Sequence, residues 1–153
     1  MKILIAVDGS VYTKRMLAYL AAHDELFGKQ HAYTVIHGVL AIPNHAASFV
    51  GPTRVREYYE ADAEDVFRPI RGFFAQQGFE VTFVHTIGHV ADSIAGFADE
   101  GRFDLVVMGS HGHGEAMNMV LGSVATKVLA TSRVPVLFLS DYHVVPTLAS
   151  GDV

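Results

Sequence analysis

The sequence predicts an α/β domain in which a parallel sheet is covered by helices on both faces. Three observations lead there. Five short apolar runs read as strands, and the first, KILIAV, is apolar on both of its faces, as a strand buried inside a parallel sheet is. Helical segments separate these runs in the order β-α-β-α-β-α-β-α-β, and parallel strands joined in that way need right-handed crossovers, so the sheet is doubly wound. The 153 residues, half of them hydrophobic and 18% charged, suffice for one domain with its own core, without disulfides or a structural metal.

The first strand is Lys2 to Val7 in KILIAVDGS, which stops at a polar turn. Asp8 or Ser10 can cap the helix that follows, where Val11, Met16, Leu17, Leu20, Ala21 and Leu26 recur near helical spacing and Gly28 ends the run. Ala32 to Leu40 and Phe79 to Ile87 are the second and third strands, both enriched in Val and Thr. Between them lies the longest connection. Pro43, Asn44, Gly51 and Pro52 signal a loop there, and a charged amphipathic helix begins by about Arg54, with Pro69 expected to kink or divide it. Its acidic run, EADAEDV, is read as a solvated helix face. A short helix over Ala91 to Asp99, a fourth strand in FDLVVMG, a helix in SVATKVLATS and a fifth strand over Val134 to Leu139 complete the order. The domain is expected to span residues 1–140. For the tail, residues 141–153, folding across a partner and disorder are both open.

Composition removes several function classes. The chain has no cysteine, which excludes disulfides, thiolate metal ligands and Cys nucleophiles and agrees with a reducing compartment; a cytoplasmic location is expected. Five apolar residues between Lys2 and Asp8 are too few for a signal peptide, and nowhere do eighteen apolar residues run together, so no membrane association is expected. A net charge of −5 with dispersed basic residues lacks the footprint that nucleic-acid binding requires.

Ligands of such sheets bind at the carboxyl ends of the strands, which makes Asp8 and the segment MGSHGHGEAMNMVLGS, Met108 to Ser123, the places for chemistry. Gly109, Gly112, Gly114 and Gly122 would allow positive φ and close approach of a ligand to the backbone. Gly122-Ser123 would place N–H donors and a hydroxyl at a helix start, an arrangement suited to phosphate. No P-loop lysine is present, and no G-x-G-x-x-G opens directly onto a helix. His111 and His113 form an H-x-H pair without a carboxylate at diagnostic spacing, so they are read as solvent-facing or phosphate-contacting rather than as metal ligands. His37, within an apolar strand, is read as a hydrogen-bonded core residue. Met117 and Met119 would pack beneath the loop. No nucleophile stands with an oriented base; the nearest candidates are Ser110 or Ser123 with His111.

The spacing Gly109-x2-Gly112-x9-Gly122-Ser123 resembles the nucleotide-binding signature of the universal stress protein family. KILIAVDGS, VIHGVL, IGHVADSI and GSVATKVLATSRVPVLFL resemble further segments of the same family, so the likeness covers Met1 to Leu139. It implies a fold of the adenine-nucleotide α-hydrolase type with strand order 3-2-1-4-5, a homodimer through the fifth strands, and the branch that binds ATP. Carried over by position, Asp8 would contact the adenosine moiety and the backbone at Gly38 the adenine edge. Met108 and Gly109 would line the ribose side, and Gly112, Gly122 and Ser123 would receive the phosphates. His113 joins this set, and with Glu115 it stands where the family often has basic residues. An acid there repels a triphosphate unless Mg²⁺ intervenes, so ATP, or AMP or ADP, with Mg²⁺ is the expected ligand. The family often has a bulky residue where Gly38 stands, which implies a more open adenine wall. The expected function is that of a nucleotide-dependent stress-response sensor or regulator that binds rather than turns over, with slow ATP hydrolysis or autophosphorylation at most. An ATP-hydrolysing or nucleotidyl-transfer enzyme on the same fold is opposed by VDGSVYT, where such enzymes usually present S-G-G-x-D-S. A dimeric interaction module without nucleotide is the other alternative. For either dimer, a partner's fifth strand would cover the unpaired edge that Val134 to Leu139 leaves.

Overall fold

Residues 3–7 are all buried, and the position of their strand in the sheet explains why. In the computed structural model, which describes residues 1–113 and 120–140, the elements run β1 (Lys2–Val7), α1 (Val11–Ala22), β2 (Ala32–Val39), α2 (Asn44–Val50), α3 (Pro52–Gln76), β3 (Val81–Ile87), α4 (Val90–Glu100), β4 (Leu105–Gly109), α5 (Ser123–Thr131) and β5 (Val136–Leu139). Gly114, Glu115, Met117, Met119 and the tail 141–153 lie outside the described residues. All strand pairs are parallel and the order is β3-β2-β1-β4-β5, so β1 is central. It pairs with β2 on one side, Val7 opposite His37, and with β4 on the other, Ala6 opposite Met108.

Alternation along the strands splits the core in two. Ile3, Ile5 and Val7 pack with Val35, Val39 and Val107 beneath Met16, Leu17 and Leu20 of α1 and Phe67, Ile70 and Phe74 of α3. Leu4 and Ala6 face the other way, with Ile36, Val106 and Met108, beneath Ile94 and Ala98 of α4 and Ala125 and Val128 of α5. A strand covered on both faces has no use for a polar position, which is why it reads as a continuous apolar run. No helix among the described residues is long and apolar enough to cross a membrane.

Several boundaries differ from the sequence reading. Helix α1 ends at Ala22, not near Gly28: His23 leaves the helix with φ −125° and ψ 59°, and the N–H groups of Leu26 and Phe27 turn back to its carbonyl. Phe27 thereby reaches the core. The expected loop over 43–52 holds a short helix, α2, which starts after Pro43 and has no buried residue. Gly51, at φ +88°, separates it from α3. Pro69 does not divide α3, which is a single helix of 25 residues. Its missing N–H forfeits one hydrogen bond, while Phe67, Ile70 and Phe74 hold the helix to the sheet on either side of it. Strand β2 stops at Val39, one residue before Leu40, and β3 begins at Val81 instead of Phe79. Strand β5 begins at Val136, not Val134, because the Val134 N–H is taken by Ser132 Oγ at 3.1 Å.

The two-faced core sets a first test. Ile5→Ala should lower unfolding free energy in urea by about 2–5 kcal/mol, whereas Phe49→Ala on α2, at a side chain 90% exposed, should change it by less than about 0.5 kcal/mol.

Candidate functional site

A cavity of about 510 Å³ opens at the carboxyl ends of β1, β2 and β4. From β1 the sheet grows through β2 to β3 on one side and through β4 to β5 on the other, so the cavity lies at the switch point. The structure brings all eight sequence-selected residues to its wall: Asp8, Gly38, Met108, Gly109, Gly112, His113, Gly122 and Ser123. Helix α3 adds Tyr58 and Asp62, and α4 adds Val90 and Ile94. Tyr58 and Asp62 stand in no local motif, and Val90 and Ile94 lie in IGHVADSI without having been singled out there. They reach the cavity only because the crossover helices fold back onto the sheet.

Asp8 organises the turn after β1. Its Oδ1 accepts from the Ser10 N–H at 2.9 Å and the Thr13 hydroxyl at 3.0 Å, while Thr13 Oγ1 accepts from the Asp8 N–H at 3.1 Å. Gly9, at φ +76°, makes the turn tight enough for this. Oδ2 accepts from the His113 N–H at 3.2 Å, and the His113 ring meets the Asp8 carbonyl at 2.9 Å. A carbonyl can only accept, so His113 Nε2 carries the proton there. One carboxylate thus clasps the loop after β4 to the turn after β1. Burial pushes the Asp8 pKa up, but donors from Ser10 and Thr13 and the nearby His113 outweigh it and hold the carboxyl below its ordinary value.

The glycines serve this clasp and the cavity differently from expectation. Gly109, Gly112 and Gly122 are not at positive φ; that conformation occurs at Gly9 and Gly88, in the turns after β1 and β3. Gly112 is needed for close approach, since a Cβ there would lie 2.5 Å from Asp8 Oδ2. A Cβ on Gly109 would come within 3.3 Å of the His111 carbonyl and of Tyr12 Cβ. The Gly122 N–H, read as a phosphate donor, is already given to the Ser110 carbonyl at 2.7 Å. Donors instead arise one step on. No side chain caps α5, and its geometry leaves the N–H groups of Val124 and Ala125 without intrahelical acceptors. At Gly38 the expected open wall is closed: the Val90 methyls occupy the space, 2.6 and 2.7 Å from where a Cβ would sit.

The histidines divide as well. His37 is buried, as read, with Nδ1 bonded to the Val7 carbonyl at 3.0 Å, yet it also lines the cavity. Its Nε2 lies 3.5 Å from Asp62 Oδ2, so Asp62, from the acidic run read as solvated, turns toward the cavity. His111 does not face solvent; it is buried, with Nδ1 paired to Ser110 Oγ at 2.9 Å and its ring against Tyr12.

The model of the Universal stress protein family matches residues 1–140. Universal stress protein Slr1230 of Synechocystis is 26% identical over 136 residues, covering 89% of this chain but 41% of that protein, so the chain spans less than half of this relative. Universal stress protein YxiE of Bacillus subtilis is 26% identical over 149 residues, covering 90% of this chain and 97% of YxiE. Among solved structures, universal stress protein UspA from Lactobacillus plantarum has a TM-score of 0.74 at 20% identity, covering 91% of this chain and 97% of that one. A universal stress protein family protein from Arabidopsis thaliana, with AMP bound, has a TM-score of 0.64 at 16% identity, covering 92% and 91%. At these identities the structural likeness carries the fold, of the adenine-nucleotide α-hydrolase type.

Two tests address the clasp. Gly112→Ala should push the loop off Asp8 and cost about 1–3 kcal/mol in urea unfolding, as overpacking does. For Asp8, a folded-state pKa below the ordinary 3.8 means a stabilising increment that is full above that value and lost as the pH falls through and below it. Asp8→Asn should therefore flatten the acid limb of the stability profile, measured by unfolding between neutral pH and pH values below 3.8.

Proposed function

The chain belongs to the universal stress protein family, and on that premise we propose that its cavity binds an adenine nucleotide and that the protein acts as a nucleotide-dependent sensor or regulator in the stress response. The observation that carries this reading is the convergence of Asp8, Gly38, Gly112 and the first turn of α5 on one cavity at the switch point. Its volume lies in the range of small-molecule sites, roughly 300–1,000 Å³. AMP in the Arabidopsis structure supports the ligand class.

In this reading the Gly38 backbone and Asp8 meet the adenosine, and Met108 and Gly109 line the ribose. Phosphate lies at Gly112, His113, Ser123 and the N–H groups that open α5, where the helix dipole favours negative charge. ATP, ADP and AMP share every part except the number of phosphates. Mg²⁺ would arrive on a polyphosphate, as a hard cation bound mainly by phosphate oxygens and water. Among the described residues no cluster of three His, Asp or Glu could hold such an ion alone. The site's role is binding: Ser110, the hydroxyl paired with His111, is only 2% exposed. Among the described residues β5 pairs with β4 alone, and its other edge would be covered by the β5 of a second copy, giving a cytoplasmic homodimer.

Titration calorimetry with AMP, ADP and ATP should give saturable heat, and mass spectrometry of small molecules released on denaturation should find adenine nucleotide carried through purification. Gly122→Val, which adds a side chain to the cavity wall at the entry to α5, should weaken binding about tenfold or more. No saturable heat with any of the three would exclude the nucleotide reading, and a steady ATPase rate well above that of Gly122→Val would move the protein to the enzymes.

A further inference from the structure

Among the described residues the cavity has two carboxylates and no fixed cation. Asp8 and Asp62 line it, and no Lys or Arg does among the described residues. The sequence widens the contrast, for residues 103–126, which include the whole connection from β4 to α5, contain Asp104 and Glu115 and not one Lys or Arg. Lys127, the first base after them, is paired with Asp92 of α4 at 3.1 Å. What can attract an anion is the first turn of α5, worth roughly half a unit charge, because the His113 N–H and Nε2 are both given to Asp8. This half charge is already less than the roughly two charges of one phosphate group, and each further phosphate widens the deficit. It cannot balance the charge of a triphosphate against two carboxylates.

We propose that this cavity selects adenine nucleotides bearing a single phosphate over the triphosphate, with Asp62 as the specificity-determining residue on the α3 wall. The inference rests on the adenine-nucleotide reading and narrows it. Asp62 suits the role because its side chain is 44% exposed, faces the cavity, and approaches His37 Nε2 no closer than 3.5 Å. Its charge is therefore felt by a ligand without being needed for the fold. Asp8 contributes charge too, but its oxygens are committed to the clasp, so it cannot be varied without moving the loop. A triphosphate meets repulsion that grows with each added charge, and Mg²⁺ removes only part of it.

Calorimetry on the full chain, at low salt and with EDTA, compares AMP with ATP. AMP should bind at least about tenfold more tightly, and raising the salt should narrow the gap because screening acts on charge. Asp62→Asn should strengthen ATP binding relative to AMP, and Asp62→Lys more so, with melting temperatures confirming that both variants fold. ATP binding as tightly as AMP in EDTA would overturn the proposal. So would a gap that neither salt nor the Asp62 variants change, since that would make the discrimination steric. An absence of heat with both nucleotides would defeat the nucleotide reading itself, a result distinct from either of these.

Discussion

The Asp8 carboxylate is the interaction on which the rest of the site depends. It takes hydrogen from Ser10 and Thr13 within its own turn and from the His113 backbone across the sheet, so the ends of β1 and β4 are held at one separation. Hydrogen bonds to an ionised carboxylate are about twice as strong as neutral ones, and here they offset the burial of the charge. Without that separation the loop after β4 would not be positioned against the turn after β1. Gly112 is the complementary requirement, because any side chain there would occupy the place of Asp8 Oδ2.

The clasp stands where it does because β1 is central. Its apolar run is fixed by neighbours on both sides and by helices on both faces, which leaves the turn beyond Val7 as the first place where polar groups can gather. His37 extends the same logic to β2 by bonding the Val7 carbonyl, so three strand ends are tied through side chains. The left-handed turns at Gly9 and Gly88 aim the chain into α1 and α4, and each helix then covers a different face. His89 shares the left-handed conformation, at φ 35°, as the residue that leads into α4.

The central strand was legible because a parallel strand covered on both faces must be apolar throughout, while β2 and β3 stood out by their Val and Thr enrichment. Residues 44–50 were not legible, because Pro43, Gly51 and Pro52 mark turns without saying that seven residues between them can close a helix. The eight residues that line the cavity were picked out by strand-end position, glycine pattern and family resemblance, yet the uses of several were not. The Gly122 N–H goes to Ser110, and that bond depends on where the loop returns, which no local pattern encodes. Gly38 makes the same point from the other side: a missing side chain on β2 signals space, but Val90, fifty-two positions later in the numbering of the chain, fills it. Asp62 sits in an acidic run that resembles any solvated helix face, and only the packing of α3 on β2 turns it toward His37.

The two ends of the cavity also differ in what makes them. On the α5 side the recognising groups are backbone N–H donors at a helix start, present whatever side chains the helix carries. On the α3 side they are side chains, Asp62 and Tyr58, which can change without disturbing a strand or a turn. A site divided in this way separates two properties. On the proposed reading, the capacity to hold an anion would belong to the fold and to the close approach that Gly112 allows at Asp8. On the same reading, the preference among anions would belong to the α3 wall, where Asp62 opposes a dipole of fixed sign. Asp62 on α3 would then set a negative charge against that dipole, so the fold would invite negative charge and this side chain would limit how much of it enters.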